Sequence, residues 1–338
     1  MTTQDDDLLG IPAGLPYRAT IAGVGYALPR KVYPNAEVER IIDAPEGWLL
    51  PRTGIASRRW AGPDETVVTL GREASERAIE MAGLTVDDID HVIVATYTFD
   101  RVTPNAAPFL TKAMGMTATV GAIDVSAACA GWLAAVKYAA SLIESGRAVN
   151  VLVVASDVIT PYGGVETKAG LAVMADGAGA GVLTRQSDAH PGAIGEIHVH
   201  ADGTYVDMIG GHQSTGRTWM RGQETYMVAV RELVAVTKEA LSKAGLTKHD
   251  PDLYVFHQAN GRILKAVAAR LDLPPEKSVS YLEHTGNISA ATIPMALARA
   301  REDGKLHAGD LICTAAIGAG YVWAGGLLRW GIPDPAAA

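Results

Sequence analysis

The chain repeats its own plan at long range, and that repeat limits the folds open to it. The segment ERAIEMAGLTVDDIDHVIVAT at 76–96 matches KEALSKAGLTKHDPDLYVFHQ at 238–258, an offset of 162 residues. Both contain AGLT, followed by acids at matching places, Asp88 and Asp90 in one copy and Asp250 and Asp252 in the other. Each reads as a helix pattern, a glycine stop and a short apolar strand. The stretch SAAC at 126–129 returns as SAAT at 289–292, 163 residues on, and NVLVVASD at 150–157 returns as DLICTAAIG at 310–318. Three ordered matches at nearly one spacing point to a duplicated β-α-β-α-β unit. Solenoid repeats have periods of about 20–50 residues, so one α/β domain of two pseudo-symmetric halves is expected. The halves are placed at 18–185 and 186–331, joined near 185–220, after a loose acidic arm over 1–17 and before a frayed tail, IPDPAAA. Strands as apolar as HVIVAT and NVLVVAS suit a sheet covered on both faces.

Composition narrows the function classes. A chain with 48% hydrophobic and 20% charged residues has the make-up of a soluble globular protein. Its net charge of −8 argues against nucleic acid as a partner, which needs a basic surface. Two cysteines provide no disulfide framework, so a reducing cytoplasm is the expected location. The N-terminus carries acids where a signal peptide needs positive charge. No apolar run reaches the ~18 residues of a membrane helix, so no membrane partner is expected.

The two copies differ where chemistry is expected. HVIVAT puts Ala95 where LYVFHQ puts His257, and SAAC puts Cys129 where SAAT puts Thr292. Cys129 stands among small residues near the start of a helix pattern, where the dipole and unpaired N–H groups lower a thiol pKa and a substrate can come close. Its bland reading is a small buried core residue. Cys313, inside the apolar run LICTAA, reads as core. His257 ends an apolar run and precedes the polar QAN; Asn287 sits in TGNIS, where a turn or cap is the bland reading. Strand ends beside helix N-termini are where α/β sheets place their sites.

Taken together, DVSAACAGW, VFHQANGRI and HTGNISAATIPMAL, with RTGIASRRW at 52–60 and AIGAGYVWAGGLLRW at 316–330, resemble the ketoacyl synthase III family of the thiolase superfamily. The resemblance runs from about Ile21 to Trp330. It implies a thiolase-like fold in an αβαβα layering and a homodimer. It implies that Cys129 is acylated by an acyl thioester, that His257 and Asn287 complete the catalytic set, and that backbone N–H groups of Cys129 and Ala319 form the oxyanion hole. Trp48 and Arg52 match residues that hold the adenine and phosphates of coenzyme A, Lys168 stands where the family often has Arg, and Asn260 matches a pantetheine contact. Arg262, Lys265 and Arg270 make a basic helix side suited to an acidic carrier protein. No metal and no permanently bound cofactor are implied; coenzyme A or phosphopantetheine thioesters are the substrates, from acyl-CoA or acyl-carrier protein.

The chain departs from the pattern at three positions. Ile317 replaces the usual Phe, and Ala319 replaces the middle glycine of the run. Thr103 stands where a bulky residue often reaches across the dimer to close the acyl pocket, which implies a roomier pocket and a non-acetyl starter. Two reactions stay open: decarboxylative Claisen condensation with malonyl-carrier protein, in fatty-acid or polyketide biosynthesis, and plain transfer of the acyl group from Cys129 to a small alcohol or amine acceptor. A degenerate scaffold partner is disfavoured by the intact Cys, His and Asn. GVGYALP at 23–29 lacks the third glycine of a dinucleotide loop, DGAGAGVL at 176–183 lacks the Lys-Ser/Thr of a P-loop, and HVH at 198–200 lacks a third metal ligand. No G-x-S-x-G elbow occurs.

Overall fold

The computed structural model describes residues 9, 11, 14–116, 119–162, 168–212 and 217–334. Strands β1 (Ala19–Ala27), β2 (Val32–Pro34), β3 (Ser57–Arg59), β4 (His91–Ala95), β5 (Gly121–Val125), β6 (Asn150–Asp157) and β7 (Gly177–Arg185) come first. Then follow β8 (Ala193–Ile194), β9 (His198–Ala201), β10 (Ile209–His212), β11 (Arg217–Met220), β12 (Leu253–Phe256), β13 (Leu311–Gly318) and β14 (Val322–Arg329). One sheet has the order β1-β7-β6-β4-β5; the other runs β12-β13-β14-β8, with β9 also on β14. β2 pairs with β3 and β10 with β11 in separate ribbons. In the first sheet β4 lies parallel to both β5 and β6; in the second β12 lies parallel to β13, as β4 does to β6.

The helices complete five layers. We number six: α1 (Val67–Met81), α2 (Ala106–Ala113), α3 (Gly131–Glu144), α4 (Gly222–Lys243), α5 (Gly261–Leu271) and α6 (Thr292–Glu302). α1 and α2 cover the outer face of the first sheet, and α4 covers the outer face of the second with α5 packed on it. α3 and α6 lie between the sheets and touch both. Their sequences explain the placement. AGWLAAVKYAASLI and TIPMALARA are apolar nearly all round, and such helices belong in the interior; Trp132, Leu133, Ile143, Ile293, Met295 and Leu297 are all buried in the largest core cluster. β4, β6, β12 and β13 are buried along almost their whole lengths, as their unbroken apolar runs require. This is the duplicated α/β layering that the repeat implies.

Two details differ from the sequence reading. The first concerns register. Ala128 and Ser289 both take left-handed backbone, φ 44° and 55°, each opening a single 3-10 turn that leads into α3 and α6. They are therefore equivalent, and Cys129 matches Ala290 rather than Thr292. Thr292 instead matches Gly131. The contacts agree: Gly131 lies against Ala95, and in the other half the Thr292 hydroxyl meets His257. Ala-rich strings slide by two residues without penalty in an alignment, whereas a positive φ marks one position. The second difference concerns the ends. Leu9 and Ile11 are buried in the core beside the second sheet, and the Leu9 carbonyl accepts from the Glu196 N–H. At the other end Ile332 is in the core, and the Pro333 carbonyl accepts from Arg301. Leu9 and Ile11 at one end and Ile332 at the other are thus anchored in the core.

Candidate active site

Cys129 is the middle residue of the turn Ala128–Ala130 that opens α3. The turn docks on the end of β13, so closely that a Cβ on Gly318 would stand 2.6 Å from the Cys129 nitrogen. Glycine is required there for that approach. Ala319, next in the chain, has ordinary negative φ, whereas Gly320 sits at +118°. The alanine in place of the middle glycine is thus free of backbone strain. Among the described residues, neither the Cys129 nor the Ala319 N–H has a backbone acceptor.

The helix terminus does not set the thiol's titration. Burial pushes Cys129 up to about 12, and the nearby Asp157 charge adds to the rise, while a hydrogen bond from Ser289 opposes it. Fractional dipole charges do not offset the loss of water around a thiolate. Cys313, wholly buried in β13, is pushed to about 12 as well. What separates the two is access: Cys129 is partly exposed and lines two cavities.

His257 follows β12 directly and is buried, its N–H bonded to the Ala315 carbonyl. Burial draws its imidazole down to about 3, so the ring is neutral at physiological pH. The Thr292 hydroxyl lies 2.6 Å from Nδ1 and 2.9 Å from the Ser289 carbonyl. It has one proton for these two acceptors. Given to Nδ1, that proton leaves Nε2–H as a donor; given to the carbonyl, it leaves the ring proton on Nδ1 and Nε2 as an acceptor.

Asn287 is held at three points: its N–H donates to the Val173 carbonyl, its own carbonyl accepts from Ala175, and Oδ1 accepts from the Ser289 N–H at 2.9 Å. With Oδ1 engaged, the amide NH2 is the end left for a ligand. Asn287 and His257 line the same cavity of 680 Å³ as Cys129.

That cavity also takes in Trp48, Arg52, Asn260, Arg262 and Ile317. The Arg52 guanidinium stacks over the Trp48 ring at 4.7 Å, an exposed cation beside an aromatic face. Asn260 caps α5, its Oδ1 accepting from the Arg262 N–H, and its amide reaches the Arg52 carbonyl, so it is both a helix cap and part of the wall. Arg262, Lys265 and Arg270 are all exposed on α5, but only Arg262 borders the cavity. The Lys168 side chain lies outside the described residues. Thr103 is exposed and lines neither cavity of its own chain. The second cavity, 520 Å³, opens on the other side of Cys129 and is walled by Ile159, Leu171, Met174, Ile209 and Trp219 among others.

Ser289, Thr292 and Asp157 were not singled out as site residues in the sequence. Asp157 is buried at the end of β6, where Oδ1 accepts from the hydroxyls of Thr96 and Thr98 and the Tyr97 N–H. Burial raises it to about 6. The available signal was a run of hydroxyl residues, Ser289 and Thr292, opening an otherwise apolar buried helix.

The chain is similar to known proteins over nearly its full length. The 3-oxoacyl-[acyl-carrier-protein] synthase III model matches residues 123–203, its C-terminal model residues 241–330, and the thiolase N-terminal model residues 51–162. The beta-ketoacyl-[acyl-carrier-protein] synthase III of Alkalilimnicola ehrlichii is 39% identical over 92% of this chain and 99% of its own. Among solved structures, 3-oxoacyl-[acyl-carrier-protein] synthase III from Aquifex aeolicus superposes with a TM-score of 0.88 at 36% identity, over 92% of this chain and 100% of that one. The priming beta-ketosynthase of the R1128 polyketide biosynthetic pathway gives 0.86 at 36% identity, over 95% and 100%. With a thiolase-like double sheet, a cysteine at the inner helix turn and relatives matched from end to end, the chain belongs to the beta-ketoacyl-[acyl-carrier-protein] synthase III family of acyl-transferring condensing enzymes.

Proposed function

We propose that Cys129 takes an acyl group from acyl-CoA or an acyl-carrier protein and that the chain condenses it with malonyl-carrier protein, using His257 and Asn287. The observation that carries this is the convergence of all three side chains on one cavity, with the Asn287 amide fixed so that its NH2 is free. In loading, Sγ attacks the thioester carbon and the C–S bond to coenzyme A breaks. Because Cys129 rests as a thiol, its proton leaves as the attack proceeds; Nε2 of His257 accepts it and returns it to the departing sulfur. The N–H groups of Cys129 and Ala319 receive the tetrahedral oxyanion. In condensation, the bond to the malonyl carboxylate breaks, its electron pair passes into an enolate, and carbon dioxide leaves. The Thr292 hydroxyl turns its proton from the Ser289 carbonyl to Nδ1 while the ring proton moves through solvent to Nε2, and Asn287 Nδ2–H and His257 Nε2–H then donate to the enolate oxygen. The α-carbon then attacks the acyl carbon, Sγ departs as thiolate, and it takes a proton from solvent. Neutral donors suit this buried place because a full charge costs more to bury.

The two cavities divide the substrate. Trp48, Arg52 and Asn260 hold the coenzyme A or pantetheine arm in the larger one. The smaller cavity takes the acyl chain; 520 Å³ is many times the ~30 Å³ share of one water, which suits a starter longer than acetyl. Product mass tests the reaction. Acyl-CoA with malonyl-carrier protein should give a 3-oxoacyl-carrier protein two carbons longer than the donor; an unextended ester or amide as sole product would overturn condensation.

Arg262, Lys265 and Arg270 serve as the carrier-protein dock. Arg262→Glu should raise KM for carrier-protein substrates about tenfold or more, the scale of a reversed rim charge, and change turnover of short thioester mimics by less than about threefold. Equal losses with both, in steady-state assays, would assign Arg262 a structural part.

The active form is a homodimer joined along β5. That strand is the edge of the first sheet, and Ile123 on it is 53% exposed. An apolar unpaired edge invites a second chain. Thr103 stands beside it, tethered by the bond from Asn105 to Asp124 of β5. Ile123→Glu should shift the light-scattering mass from dimer to monomer; an unchanged mass would place the interface elsewhere.

A further inference from the structure

Ser289 is linked to each of the three side chains assigned to catalysis, directly to Cys129 and Asn287 and through the Thr292 hydroxyl to His257. Its hydroxyl lies 3.6 Å from Cys129 Sγ. Its N–H donates to Asn287 Oδ1 at 2.9 Å, and its carbonyl accepts from the Thr292 hydroxyl that also meets His257 Nδ1. The residue is wholly buried and holds φ at 55°. A non-glycine residue in left-handed backbone is uncommon and costs free energy, so surrounding contacts must hold it there. Its counterpart in the other half is Ala128, at φ 44°, which has no hydroxyl. The duplication thus supplies the same strained turn twice, and only the second copy places an O–H at the thiol.

We propose that Ser289 is a positioning residue that ties Cys129, His257 and Asn287 into one unit, and that its hydroxyl is the hydrogen-bond donor to the Cys129 thiolate. The assignment rests on the reading of those three residues as the catalytic set. Its physical content is separable by atom. The N–H and carbonyl fix the Asn287 amide and the Thr292–His257 pair, so they serve the enolate step. The hydroxyl serves the sulfur and also faces Asp157 and Tyr97, so it takes no part in holding Asn287 or the Thr292–His257 pair. A donor to the charged form of a group favours that form, and this donor works against the charges that face the thiol, chiefly Asp157 on β6, with Tyr97 beside it and His257 neutral.

Ser289→Ala deletes the hydroxyl and keeps both backbone groups, and Ala128 shows that alanine adopts this backbone here. Ser289→Gly deletes it with no φ penalty, which guards against misfolding of the first variant. The measurement is the pH dependence of iodoacetamide alkylation at Cys129, read by peptide mass. Below the thiol's midpoint, the rate follows the thiolate fraction. Both variants should give lines displaced upward by about one pH unit, so that at any fixed pH alkylation is about tenfold slower than in wild type. Acyl loading should fall with it, while protein acylated beforehand keeps more than about half the wild-type rate of malonyl-carrier protein decarboxylation. Unmoved alkylation lines in both variants, or equal losses in loading and decarboxylation, would overturn the proposal. Failure of wild type to release carbon dioxide would instead count against the condensing reaction and leave the alkylation result to judge Ser289.

Discussion

Cys129→Ala protein treated with acyl-CoA and weighed intact should gain no acyl group, whereas the wild-type chain gains one. Turnover should fall by about four orders of magnitude or more, the scale on which removal of a covalent nucleophile is felt. The chain offers one other thiol, and it cannot stand in. Burial pushes Cys129 and Cys313 alike to about 12, so thiolate content does not choose between them. Position does. Cys313 is enclosed in β13, while Cys129 borders both cavities, and among the described residues its N–H and that of Ala319 have no backbone acceptor. An adduct that persists in the alanine variant would remove Cys129 from the reaction.

The second large effect separates the two halves of the chemistry. Asn287→Ala should leave self-acylation within about threefold of wild type and lower carbon dioxide release from malonyl-carrier protein by roughly 10²–10³, the cost of one preorganised donor to a developing oxyanion. His257→Ala should lower release at least as much and also slow loading, because Nε2 serves both steps. A plain acyl transfer to an alcohol or amine predicts another pattern: His257 acts as general base, Asn287→Ala costs little, and no carbon dioxide forms. Scintillation counting of carbon dioxide from carboxyl-labelled malonyl-carrier protein, beside intact mass for loading, measures both steps on one preparation.

Much of this was legible in the sequence because duplication leaves two records of one plan. The AGLT pair fixed equivalent helices and strands, and His257 stood out because its copy, Ala95, carries nothing reactive. The resemblance of five motifs then implied the roles of Cys129 and Asn287. Finer register was not legible. SAAC and SAAT look alike as strings, yet the left-handed residues Ala128 and Ser289 show that Thr292 answers Gly131 and serves His257. A string of small residues carries no mark of backbone sign. The burial of Leu9, Ile11 and Ile332 was hidden for another reason: each sits in a short acidic or proline-rich segment without periodicity, and the core that receives it is built from residues distant in the sequence. The thiol's titration also depended on what encloses it. A helix start predicts a lowered value, and only the burial of the thiol, with the Asp157 charge adding to it against the Ser289 hydrogen bond, reveals the rise.

The most direct test of the central claim is the amount of carbon dioxide released per acyl group consumed, with wild-type protein, acyl-CoA and carboxyl-labelled malonyl-carrier protein. Decarboxylative condensation predicts one carbon dioxide for each acyl group and each 3-oxoacyl product, with release lost in Cys129→Ala, His257→Ala and Asn287→Ala product assays alike. Consumption of the acyl group with no carbon dioxide, across donors from acetyl to medium-chain acyl-CoA, would contradict it.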